Sequence, residues 1–153
     1  MRKQLRLSEP EFIELARSTL EAGTSFQFRT SGSSMYPFIK DGDVITVAPL
    51  PPKPPGLGDV LVFIHEQARR LFVHRVTKRD GGFYVTKGDS SHFDDGMISR
   101  TNLLGYVIRV ERNGKKIRLG LGPERPLIAL LARTGLLSPL VFRAWCYARP
   151  FLT

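Results

Sequence analysis

The chain has 153 residues, 42% of them hydrophobic and 24% charged, a balance ordinary for a soluble globular protein and enough for one domain with a real core. Its single cysteine, Cys146, excludes an internal disulfide and reads as a buried apolar filler. The net charge of +9 is unevenly placed: residues 1–100 hold 14 Lys/Arg against 12 Asp/Glu, and residues 101–153 hold 9 against 2.

The start carries Arg2, Lys3 and Arg6, but Glu9, Glu11 and Glu14 come too soon after them for a long apolar stretch. No secretory signal and no N-terminal membrane span is legible there, which predicts a cytoplasmic protein. Ser8-Glu9-Pro10-Glu11 has the form of a capping box with proline in the first turn. Phe12, Ile13, Ala16 and Leu20, with a stop at Gly23, then outline one short amphipathic helix, so residues 1–24 form an N-terminal helical unit.

Residues 25–122 read as a β domain. Phe26-Gln27-Phe28 alternates as a strand would, and Val44 to Ala48 is β-branched. Pro49 to Pro55 contains five prolines and predicts a stiff connector. Strand patterns come next at Val60–Ile64, Leu71–Val76 and Phe83–Thr86, the last returning from a hairpin at Asp80-Gly81-Gly82. Leu103–Val110 and Lys116–Leu121 flank a second hairpin signal, Asn113-Gly114. Six or seven short strands predict a mainly β fold with one N-terminal amphipathic helix.

Residues 123–153 form a basic, apolar C-terminal appendage. Between Pro126 and Phe142 only Arg133 is charged, while Gly135 and Pro139 break the run and argue against a straight spanning helix. Two readings stand side by side. Interfacial helices would touch an anionic membrane peripherally, with Arg125, Arg133, Arg143 and Arg149 reaching to headgroups. Alternatively, a helical pair packs on the domain's own core. Nucleic acid is the weaker partner, because the basic residues lack regular aromatic interleaving.

The chemistry centres on Ser31-Gly32-Ser33-Ser34-Met35-Tyr36-Pro37, where Ser34 sits in a turn of Gly, Ser and Pro before an apolar side chain. A serine hydroxyl is a poor nucleophile until a neighbouring base takes its proton. Histidine, with an ordinary pKa of about 6.5, suits that task and would make a rate rise through roughly pH 6 to 7. Of His65, His74 and His92, His74 is best placed, in an apolar strand that would fix its ring. The loop Lys87 to Gly96 concentrates Asp89, Asp94 and Asp95, one of which could orient the imidazole. Its spacing is not that of a calcium loop, and the chemistry calls for no metal and no cofactor.

Ser31 to Ile39, Gly42-Asp43-Val44, Gly58 to Phe63, His74-Arg75-Val76 and Lys87-Gly88-Asp89 with Asp94-Asp95 occur in this order. Together they resemble the successive motifs of the type I signal peptidase family, over roughly residues 26–110. Histidine rather than lysine at position 74 resembles the archaeal and endoplasmic-reticulum branch. The resemblance implies a signal-peptidase-like β domain and a peptide or preprotein substrate bound in extended form. It implies Ser34 as nucleophile, His74 as base and then acid, and Asp95 or Asp89 as the supporting carboxylate. The Ser34 N–H would bind the oxyanion, with Ser31 or Ser33 assisting and Met35 beside the substrate.

Two departures accompany the resemblance: the family normally has an N-terminal membrane helix, and the chain shows no means of export. A dedicated leader peptidase, or an inactive relative that keeps its peptide groove, would fit. A non-enzymatic lipid- or nucleic-acid-binding module is the rival from another class. An autoprotease of the SOS-repressor type ranks below these, since it expects a lysine base and a preceding DNA-binding domain.

Overall fold

The computed structural model describes residues 7–137 together with Pro139 and Arg143. Arg2, Lys3, Arg6, Cys146 and Arg149 lie outside the described residues. The order is α1 (Glu9–Glu21), β1 (Phe26–Arg29), β2 (Val44–Pro49), β3 (Val60–His65), β4 (Arg70–Asp80), β5 (Phe83–Lys87), β6 (Met97–Ser99), a 3-10 turn (Arg100–Asn102), β7 (Leu103–Arg112), β8 (Lys115–Ile117) and α2 (Arg125–Thr134). The mainly β fold expected from the sequence is what forms.

Helix α1 begins where the S-x-x-E pattern places it. The Glu11 carboxylate accepts from the Ser8 N–H at 2.8 Å and from its hydroxyl at 2.7 Å. Ala16 and Leu20 are buried, one turn apart on the inner face. Phe12 meets the rings of Phe26 and Phe28 with centroids 5.6 and 5.2 Å away, which seats α1 on the first strand.

The strands make one antiparallel sheet in the order β1-β2-β7-β3-β4-β5-β6, with β8 paired to β7. Ile45, Val47, Val60, Val62, Leu104, Val107 and Val110 turn inward with Leu20, Met35 and Ile39 to form the main core. A second cluster of Leu61, Phe63, Val76, Tyr84, Ile98 and Leu103 fills the opposite face. The alternation reflects the two-residue period of a strand. Residues 50–59, which hold most of the proline run, form neither helix nor strand. The short β6 has no counterpart among the predicted strands; three residues are too few to display alternation, and pairing with β5 holds it.

Besides β6 at the far end of the order and β8, two strand edges are left open. β1 closes one end of the strand order and pairs only with β2. β4 pairs with β3 from Arg70 to Arg75, but with β5 only from Arg75 onward. Its first half, Arg70 to His74, therefore has one side unpaired by any strand.

Helix α2 buries Ile128, Ala129 and Ala132, and Ile128 and Ala132 join Phe38 and Leu137 in a third cluster. The inner face of α2 thus packs on the domain itself, while Leu127 and Leu130 stay exposed. No helix among the described residues is long and apolar enough to cross a membrane.

Candidate functional site

The loop carrying Ser34 is closed at its neck by Thr30 and Asp43. The Thr30 N–H donates to the Asp43 carbonyl at 2.8 Å, and the Gly42 N–H returns a bond to the Thr30 carbonyl at 2.9 Å. The buried Asp43 carboxylate accepts two bonds from Arg112, at 2.9 and 2.7 Å, and one from the Lys40 N–H at 2.8 Å. Burial works against this carboxylate, but Arg112 and the Lys40 N–H outweigh it and hold its pKa below the usual range. Within the loop, Tyr36 N–H to Ser33 carbonyl (3.1 Å) and Ile39 N–H to Met35 carbonyl (3.0 Å) make tight turns that leave Ser34 at the surface. Met35 is buried as part of the main core and forms part of the cleft floor beside the serine.

His74 faces Ser34 from β4. Its Nε2 lies 3.0 Å from the Ser34 Oγ, and its Nδ1 lies 2.6 Å from the Asp95 Oδ2. The Thr86 hydroxyl donates to the same carboxylate oxygen at 2.7 Å, and the Asp95 N–H binds the Thr86 carbonyl at 2.9 Å. An Asp95 carboxylate can only accept, so Nδ1 carries the proton and Nε2 presents a lone pair to the serine hydroxyl. The imidazole is packed against Phe72, with ring centroids 5.2 Å apart, and is almost wholly buried. Serine, imidazole and carboxylate form one hydrogen-bonded series.

Asp89 lies elsewhere. Its carboxylate accepts from Nε and Nη2 of Arg75, both at 2.8 Å, and both side chains are fully buried. Burial pushes the Asp89 carboxyl up, and the Arg75 guanidinium opposes that shift. Arg75 also donates to the Gly58 and Gly120 carbonyls at 2.9 and 2.8 Å, tying three loops to β4. The alternative between Asp95 and Asp89 left by the sequence separates in space: Asp95 is on the histidine, and Asp89 braces the loop behind it.

That loop is pressed against the serine. The Ser90 N–H donates to the Ser34 carbonyl at 2.9 Å, and the Ser90 hydroxyl to the Ser33 carbonyl at 2.6 Å. A Cβ on Gly88 would stand 2.6 Å from the Ser34 carbonyl oxygen, closer than such contacts occur. Only glycine lets the two loops approach this closely. Thr86 and Arg75 both escape a sequence-based search for contributors, since a threonine and an arginine inside strands carry no local signal of a role.

The remaining candidates separate cleanly. Asp94 is exposed and binds the Gly96 N–H at 2.9 Å. His65 stacks on Phe72 at 4.8 Å, and His92 is exposed. Lys87 is buried and donates to the Ala132 carbonyl at 2.7 Å at the end of α2, so its amine is committed away from Ser34. Among the described residues, no group of three or more His, Cys, Asp or Glu side chains gathers as metal ligands would.

A cleft of about 270 Å³ opens beside the serine. Phe28 and Thr30 stand on its β1 side, Arg70, Phe72, Val73 and His74 on its β4 side, with Ser31, Ser34 and Met35 along the serine loop. Ser33 does not line it. Its two strand walls are the open edges of β1 and β4.

A mainly β domain that sets a serine, an imidazole and a carboxylate in series at the mouth of such a cleft has a serine-peptidase-type fold. Residues 3–108 match the family described as Peptidase S24-like, and the chain belongs to that family. The match is coarser than the type I signal peptidase branch whose motifs the sequence resembles. Among curated proteins no match is found.

Proposed function

We propose that this protein is a serine endopeptidase that cuts a signal or leader-type peptide held in extended conformation. The observation that carries the proposal is the hydrogen-bonded series from the Ser34 Oγ through His74 to Asp95, at 3.0 and 2.6 Å. Ser34 Oγ attacks the scissile carbonyl while His74 Nε2 takes its proton; the imidazolium then gives that proton to the leaving amine. Water, deprotonated by the same nitrogen, releases the acyl group and regenerates the serine. Asp95, fixed by Thr86, holds the tautomer and stabilises the charged ring.

The Ser34 N–H takes no acceptor among the described residues and is available to the oxyanion. Ser31, which lines the cleft, is a better candidate to assist than Ser33, which does not. An extended substrate between β1 and β4 would gain main-chain hydrogen bonds from both edges. A lysine-dependent mechanism is disfavoured, because the base facing Ser34 is an imidazole. Peripheral contact with an anionic membrane is the accompanying proposal for the C-terminal segment, supported by exposed Leu127 and Leu130 beside Arg133 on α2.

The test is incubation of the purified protein with leader-type peptides beside its Ser34→Ala variant. Cleavage by the native chain alone is expected, and equal cleavage by both would remove Ser34 from the reaction.

A further inference from the structure

We infer that the cleft selects a peptide carrying an acidic side chain about four residues from the bond that is cut, and that Arg70 reads it. The inference rests on the endopeptidase reading for the position of the cut, but its geometry stands on the strand edge alone.

Arg70, Phe72 and His74 alternate along β4 and therefore share one face. All three line the cleft, and among the described residues that line it Arg70 is the only lysine, arginine, aspartate or glutamate. Arg70 is exposed and makes no ion pair among the described residues, unlike Arg75, Arg109, Arg112 and Arg125, each bound to a carboxylate. The acid packed against this end of β4 is Glu9 of α1, and it accepts from the Leu71 N–H at 3.2 Å rather than pairing with Arg70. The guanidinium thus stands over an open cleft with its charge unspent.

The same bond fixes the geometry of the edge. Since the Leu71 N–H points away from β3 toward Glu9, the Val73 backbone, two residues on, points the same way into the cleft. A peptide pairing there takes its main-chain bonds from Val73, since the Leu71 N–H is held by Glu9, and runs on alongside β4 with the rise of a strand, about 3.3 Å per residue. Its side chains on the Arg70–Phe72–His74 face meet those three in turn: the residue at the reaction centre beside His74, an apolar one beside Phe72, and beside Arg70 the fourth from the centre, roughly 13 Å away. Opposite charges facing each other across strands are favourable and like charges unfavourable. A carboxylate is therefore favoured at that position and a lysine or arginine rejected.

The experiment is cleavage of a diverse library of synthetic decapeptides by the native chain, Arg70→Glu and Arg70→Lys, with Ser34→Ala defining background and mass spectrometry locating the cuts. Asp and Glu are expected to be enriched about two- to five-fold at a position three to five residues from the cut, the scale of one exposed ion pair. Arg70→Lys should keep the enrichment and Arg70→Glu reverse it toward Lys and Arg. Ser34-dependent cuts with no acidic preference, or one that persists in Arg70→Glu, would overturn the inference. Capture of the same peptides by immobilised Ser34→Ala protein separates the two proposals. Acidic peptides retained there, and lost when Arg70→Glu is added, support Arg70 even if no cleavage is seen; indifferent capture without cleavage counts against it.

Discussion

Replacing His74 with alanine is expected to slow peptide cleavage by about 10⁴-fold or more, and adding Ser34→Ala to that variant is expected to cost almost nothing further. The hydroxyl and the imidazole share one hydrogen bond of 3.0 Å and act as a unit, so removing either removes the activated nucleophile. Two independent contributions would instead multiply. Single-turnover rates of the native chain, both single variants and the double variant settle this. A His74→Ala rate within ten-fold of the native chain would mean that another group takes the serine proton.

The second large effect is on stability. Asp89→Ala is expected to destabilise the fold by roughly 3–5 kcal/mol, because it strands a guanidinium in the interior. Arg75 is inaccessible to solvent, and among the described residues Asp89 is the one carboxylate it is bonded to; its remaining bonds go to the neutral carbonyls of Gly58 and Gly120. Asp94→Ala, five residues on and exposed, should fall within about 0.5 kcal/mol of the native chain. Urea unfolding of the two variants makes the comparison, and equal midpoints would show that the Asp89–Arg75 pair does not hold the loop. Asp95→Ala should do the reverse of Asp89→Ala, slowing cleavage far more than it weakens the fold.

The contrast between these aspartates marks where sequence reasoning ends. The helix start is legible because a capping box is a local rule, and the strands because apolar alternation has a local period. The pairing of His74 with Asp95 depends on how β4, β5 and the loop after β5 are stacked. Twenty-one residues separate the two groups, and no spacing rule joins them. Resemblance orders the candidates but leaves Asp89 and Asp95 open, since both lie in one polar loop. Arg75 decides the matter by claiming Asp89, and an arginine in a β-branched strand reads as surface until burial is known. Strand β8 stops at Ile117, short of the Leu121 expected. Gly120 turns the chain against the Phe38 ring with φ +100°, and its carbonyl is taken by Arg75. For the C-terminal segment, composition alone leaves membrane and core packing as rivals. The inner face of α2 is accounted for by the core, and its outer leucines remain for a surface.

Treatment with a serine-directed fluorophosphonate, then peptide mass mapping, tests most directly whether Ser34 is an activated alcohol. A single adduct on Ser34 that disappears in His74→Ala is the predicted result. An unlabelled Ser34, or labelling undiminished without the imidazole, would contradict the assignment of this site as a working nucleophile.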